Sequence, residues 1–147
     1  MKNIEERQTI QALSSQKLRD RRFRKRIVNA YDGVCAFTGV QMQDHKGNYE
    51  VQAAHILSVS QNGPDVTSNG LALSSTVHWM FDRYLISIDD NFKLLVIDSM
   101  IPSEYLNLLE PATKGILLPK DKSKIPNQKF IQYHRTKFDL RANLSKF

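Results

Sequence analysis

His55, Asn69, His78 and Asp82 are the residues of this chain best suited to chemistry. Histidine titrates close to neutral pH, so it can accept or deliver a proton under conditions where few other side chains can. His55 closes the strand-like stretch Ala53-Ala54-His55-Ile56, and Asn69 follows a loop rich in Gly, Pro, Asp and Ser. His78 stands in a helically spaced segment, Val77-His78-Trp79-Met80-Phe81-Asp82. Asp82, four residues on, falls on the same helical face. An imidazole and a carboxylate on one face can hold a divalent metal ion and leave coordination positions open. Singly, each residue has a plainer reading: a lone buried histidine usually serves packing, and an aspartate beside Arg83 usually makes a surface ion pair.

To work together, these side chains need a strand ending at His55, a closed loop up to Asn69 and a helix through His78. The pattern supplies them. Residues 49–56 read as a strand, 60–68 as a loop and 71–73 as a short strand; Ser74 or Ser75 then caps a helix running to about Tyr84. Ahead of them, residues 4–31 read as helical, since Ile10, Leu13, Leu18, Phe23, Ile27, Val28 and Tyr31 recur at three- and four-residue steps. Asp32-Gly33 stops that helix, and Ser14-Ser15 is a candidate break, dividing the chain into an arm or linker at 1–20 and a domain at 21–147. Residues 34–39 read as a short strand and turn, and 45–48 as a second turn. Residues 85–88 and 92–97 predict a hairpin, 102–109 a short helix and 115–118 a strand. A basic turn at 121–126 leads to a closing helix at 128–140, with Phe130, Ile131, His134 and Phe138 on one face. Trp79 and Phe81 read as core residues, Cys35 as a small buried one and His45 as exposed.

Composition sets the class. With 147 residues, 41% hydrophobic and 24% charged, the chain suits one soluble domain with a real core. No apolar run approaches a membrane span and the first residues are unlike a signal peptide, which predicts a cytoplasmic protein with no membrane contact. The lone Cys35 excludes a disulfide within the chain. Net charge is +6 and unevenly spread: residues 1–26 hold nine Lys and Arg against three acids, residues 114–147 nine against two, and the middle three against ten. Basic ends around an acidic centre suit a polyanion gripped at its edges, although charge runs more commonly just solvate helix faces.

Taken together, Ala53-Ala54-His55-Ile56, Asn69-Gly70-Leu71, His78 to Asp82 and Ile86-Ser87-Ile88 resemble the His-Asn-His motif of the HNH endonucleases. Phe23-Arg24, residues 31–39 and the tail from Leu117-Leu118-Pro119 to His134-Arg135 and Phe138 extend the likeness to predicted bacterial restriction endonucleases, over residues 20–139. The resemblance implies an α+β fold: a ββα-metal core with an N-terminal helix and a C-terminal hairpin-plus-helix extension. It implies hydrolysis of DNA phosphodiester bonds, in restriction or defence against foreign DNA. His55 would be the general base, Asn69 would hold the loop closed, His78 would bind the metal, and Asp82 is the candidate second ligand.

The implied cofactor is one divalent ion, Mg or Mn first, with Ni or Zn as alternatives. DNA is the implied partner, with a second copy of the chain or an N-terminal recognition domain absent from this chain as further ones. Arg21, Arg22, Arg24, Lys25 and Arg26, with Arg135, are the candidate DNA-binding residues. Two departures stand out. The paired-cysteine zinc knuckle of many relatives is excluded, since Thr38 replaces the second cysteine. Ala54 stands where many put a metal-ligating Asp or His, so the alternative is a non-catalytic DNA-binding module that keeps the fold.

Overall fold

The polypeptide begins with a reciprocal cap. The Asn3 side chain accepts the Glu6 N–H at 2.7 Å, and the Glu6 carboxylate accepts the Asn3 N–H at 3.2 Å, satisfying two donors that a helix start leaves open. Helix α1 then runs from Ile4–Ala30 without interruption, so Ser14-Ser15 does not break it. The structure, a computed structural model, describes residues 3–144. Lys2 and Lys146 of the basic flanks, and the outer ends of the 1–20 and 21–147 division, lie outside the described residues.

Only the last two turns of α1 meet a core. Phe23 and Ile27 are buried, whereas Ile10, Leu13 and Leu18 are exposed, so the apolar stripe read from sequence is half used. Each of the two buried side chains contributes about 1.5–3 kcal/mol by leaving water. The helix stops where Asp32 and Gly33 turn left-handed (φ 53° and 71°), and the Gly33 N–H returns to the Val28 carbonyl at 2.9 Å. A Cβ on Gly33 would also strike the Tyr49 ring.

Strands β1 (Gln52–His55) and β2 (Gly70–Leu73) pair antiparallel, with His55 opposite Gly70 and Ala54 opposite Leu71. Between them two short 3₁₀ turns, Val59–Gln61 and Thr67–Asn69, shape the loop. α1 packs against both strands, and helix α2 (Ser75–Asp82) packs against β1. Strands β3 (Ile86–Ile88) and β4 (Leu94–Val96) form the second hairpin, α3 (Ser103–Leu109) follows, and α4 (Gln128–Leu144) lies across β3. Among the described residues this is an α+β architecture of four α-helices and two small antiparallel sheets, in the expected strand–loop–strand–helix order. No helix of the described residues is long and apolar enough to cross a membrane.

Two further expectations need correction. Residues 115–118 form no strand: single bonds from Ile116 N–H to the Phe92 carbonyl and from Leu117 N–H to the Ala36 carbonyl hold them, too few for a ladder. Trp79 is not a core residue. It is 52% exposed, with the Arg83 guanidinium 4.1 Å from its ring, because α2 turns Val77, Met80 and Phe81 inward and leaves the next stripe outside. Phe81 and Cys35 are fully buried, His45 is exposed, and α4 buries Ile131, His134 and Phe138 with Phe130 partly covered.

The close approach of α1 to the hairpin depends on Gly70, where a Cβ would collide with Ile27 and Phe23. Gly70→Ala should therefore overpack this contact and cost about 1–3 kcal/mol, seen as a lower thermal midpoint. An unchanged midpoint would mean that α1 is free to ride outward.

A candidate active site at the end of the first strand

Buried Asn69 organises the loop that leaves His55. Its Oδ1 accepts the Leu57 N–H at 2.8 Å, and its Nδ2 donates to the Leu57 and Pro64 carbonyls, both at 3.0 Å. A side chain with no exposure thus has its acceptor and both donor hydrogens engaged. Gly63 is the second requirement, since a Cβ there would be driven into the Leu57 carbonyl. The loop doubles back on the strand end that carries His55.

The His55 ring is fixed from two directions. Phe23 stacks on it at 4.1 Å between centroids and 14° between planes. In the ring plane, Nε2 lies 2.8 Å from the Asp65 Oδ1. A carboxylate at Nε2 places the proton on that nitrogen and leaves Nδ1 basic. Asp65 was not singled out in the sequence; its only signal was its place in the loop between the two strands.

On α2, His78 Nδ1 lies 2.7 Å from the Gln52 Oε1, while Gln52 Nε2 donates to the Ser75 hydroxyl at 3.3 Å. Gln52 therefore takes Nδ1–H, and the His78 Nε2 faces the Asp82 Oδ2 at 3.1 Å. An unprotonated imidazole nitrogen and a carboxylate at that distance need a proton or a cation between them. Adjacent ligands about 2.1 Å from one divalent ion stand roughly 3 Å apart, so the pair fits a metal ion, with Gln52 orienting the imidazole. Among the described residues no group of three or more His, Cys, Asp and Glu converges as a metal cage. The pair would leave the remaining positions to water and phosphate oxygens.

His55, His78 and Asp82 line one cleft of about 380 Å³, together with Ser58, Ser60 and Lys137. Ala53 lines it too, whereas Ala54 is fully buried against β2: strand alternation turns that position into the core. The absence of a ligand at 54 thus accompanies a side chain that points away from the cleft. Lys137, the cleft's cation, comes from α4 and lies 5.4 Å from the Tyr84 ring.

The candidate DNA-binding residues divide. Arg24 donates to the Val51 and Tyr49 carbonyls at 2.7 and 3.0 Å, Arg26 to the Asp65 carbonyl at 2.9 Å, and Arg135 to the Ile88 carbonyl and the Asp90 carboxylate. Arg21, Arg22 and Lys25 are exposed and have no such partner among the described residues. Arg21 and Lys25 flank a second, open concavity of about 470 Å³ beside Gly47, Asn48 and Tyr49.

Residues 35–89 match the family of HNH endonucleases. This segment resembles an HNH endonuclease domain. It holds His55, Asp65, Asn69, His78 and Asp82, while Phe23, Arg26 and Lys137 come from helices outside it. Among solved structures, a "Modification dependent TagI restriction endonuclease" superposes with a TM-score of 0.59 at 24% identity, over 79% of this chain and 37% of that one. The likeness is one of fold, and this chain spans little more than a third of that protein's length. No curated protein matches the sequence.

At the floor of the same cleft, His134 is held on every side by its neighbours. Its Nδ1 pairs with the Ser87 hydroxyl and its Nε2–H with the Phe81 carbonyl, both at 2.8 Å, and its ring stacks on Phe81 at 3.7 Å. Burial lowers its pKa to about 4, with Lys137 adding to the effect and the Phe81 carbonyl and Asp82 opposing it. The native state thus prefers the neutral ring. Its stabilising contribution is complete above pH 6.5 and is withdrawn as pH falls towards about 4. The loss amounts to roughly 3 kcal/mol, because the unfolded chain takes up the proton first. Urea midpoints measured from pH 7 to 4 should fall less steeply for His134→Gln than for the parent; parallel curves would place the acid sensitivity elsewhere.

Proposed function

We propose that the chain is a metal-dependent endonuclease that hydrolyses DNA phosphodiester bonds, with a role in restriction of foreign DNA. The observation that carries this reading is the convergence in one cleft of an oriented histidine, His55, with an imidazole–carboxylate pair, His78 and Asp82, inside the segment matched to the HNH endonucleases. The restriction role draws on the fold likeness to a restriction endonuclease.

In this reading His55 takes a proton from the attacking water through Nδ1, with Nε2–H held by Asp65. Asn69 keeps the loop closed so that the ring stays in place. His78 and Asp82 would hold the divalent ion, which when bound would stabilise negative charge at the scissile phosphate. Lys137 supplies a positive charge on the same cleft wall, suited to a non-bridging phosphate oxygen. Arg21, Arg22 and Lys25 grip the DNA backbone, while Arg24, Arg26 and Arg135 brace the fold. Residues 1–20 act as an arm ahead of the nuclease domain at 21–147; described residues up to Arg22 are all exposed.

The absent ligand at Ala54 favours a second reading, a DNA-binding module without cleavage. Incubating plasmid DNA with the protein and Mg²⁺, Mn²⁺, Ni²⁺ or Zn²⁺, against a chelator control, separates the two. Cleavage is expected with at least one ion. His55→Ala should then retain fold and DNA binding and lose roughly 10²–10⁴-fold in rate. Asp82→Ala should cut poorly and recover partly in excess metal. Binding without cutting under every ion would select the second reading.

The DNA grip has its own signature. Each phosphate contact removed should reduce the slope of log affinity against log salt by about one unit. Neutralising Arg21, Arg22 and Lys25 together should weaken binding and flatten that slope, leaving the melting temperature unchanged. An unaltered slope would move the grip to the basic C-terminal segment.

A further inference from the structure

We propose that Asp65 is a positioning residue for His55, selecting the ring orientation and tautomer that leave Nδ1 free to accept the proton of water. The inference rests on the nuclease reading above. The plain alternative is a half-exposed ion pair of little consequence, since such surface pairs contribute about 0–1 kcal/mol. Three features of the loop argue against it.

First, stacking on Phe23 fixes the plane of the His55 ring but not its face. A half-turn about the Cβ–Cγ bond keeps that plane, exchanges nitrogens for carbons and costs the stack nothing. The hydrogen bond to Asp65 at 2.8 Å separates the two orientations and makes Nε2 the protonated nitrogen. Second, the Asp65 backbone is anchored on both sides. Arg26 reaches from α1 to donate to its carbonyl at 2.9 Å, and the neighbouring Pro64 carbonyl receives the Asn69 amide at 3.0 Å. Third, Arg26 binds the carbonyl and not the carboxylate, and among the described residues no lysine or arginine pairs with that carboxylate. His55 is therefore its one ion-pair partner among the described residues.

The chain of contacts runs Arg26, Asp65, His55, and α1 acts on the cleft through it. A charge run that resembles a DNA-binding patch contributes one member, Arg26, to holding the histidine.

The test combines kinetics with a spectroscopic readout. In a long-range ¹H–¹⁵N imidazole spectrum of the parent protein, His55 should carry its proton on Nε2, and Asp65→Ala should give mixed tautomers at an unchanged thermal midpoint. On plasmid or oligonucleotide DNA, Asp65→Ala should lose about 10–100-fold in kcat with KM little altered, as removal of an orienting partner does. Asp65→Asn keeps an acceptor for Nε2–H and should lie between the two. In a His55→Ala background, Asp65→Ala should add no further loss. Should Asp65→Ala fold poorly, the parent spectrum and Asp65→Asn still decide. A parent His55 protonated on Nδ1, full kcat in a folded Asp65→Ala variant, or an additive loss in the double variant would overturn the proposal. Normal cleavage by His55→Ala would instead sink the general-base reading, and Asp65's role with it.

Discussion

A single buried amide holds the cleft in shape. The loop that carries the chain from β1 to β2 must reverse close to its own strand end, where backbone groups lose water and need replacement partners. Asn69 provides three at once: the N–H and carbonyl of Leu57 and the carbonyl of Pro64. An alanine there would leave those groups unpaired in a dry place, at a cost of about 1–3 kcal/mol for each buried group left unsatisfied. An aspartate would offer acceptors only, facing two carbonyl oxygens. Few other side chains can complete this set, and both His55 and Asp65 inherit their positions from it.

Helix α1 is the second constraint, and it works through contacts of different kinds. Phe23 and Ile27 close the core over Gly70, Phe23 also stacks on His55, and Arg24 and Arg26 reach past the hairpin to backbone carbonyls. Long arginine side chains suit this bracing because the guanidinium offers several donors in a fixed plane. The exposed cations of the same helix, Arg21, Arg22 and Lys25, remain for solvent or a polyanion. One stretch of positive charge is therefore divided by the direction each residue faces.

The cleft itself shows how two histidines with equal intrinsic basicity receive different surroundings. His55 has a carboxylate on Nε2, and His78 has an amide oxygen on Nδ1 with a carboxylate facing Nε2. The partners thus engage opposite nitrogens: Nε2 in the His55 ring and Nδ1 in the His78 ring. His134, a third imidazole nearby, is sealed between Phe81, Tyr84 and the Ser87 hydroxyl and is held neutral by burial.

Local patterning made much of this readable from sequence alone. The order His55, Asn69, His78, Asp82, through its resemblance to the HNH motif, pointed to three residues that line the cleft and to the asparagine behind it, because strand ends, turn residues and four-residue helical spacing are local properties. The buried face of α4, with Ile131, His134 and Phe138, followed for the same reason. Tertiary structure decided what depends on segments distant in sequence. That Arg24, Arg26 and Arg135 bind carbonyls, that Lys137 reaches the cleft from α4, and that Asp65 pairs with His55 all arise from contacts between separate elements. Periodicity named the stripe Ile10, Leu13 and Leu18 but could not say that nothing among the described residues covers it, and it counted Trp79 as core when α2 leaves it outside. An apolar residue's type measures what it gains by burial; only the packing of neighbouring elements supplies the surface to bury it against.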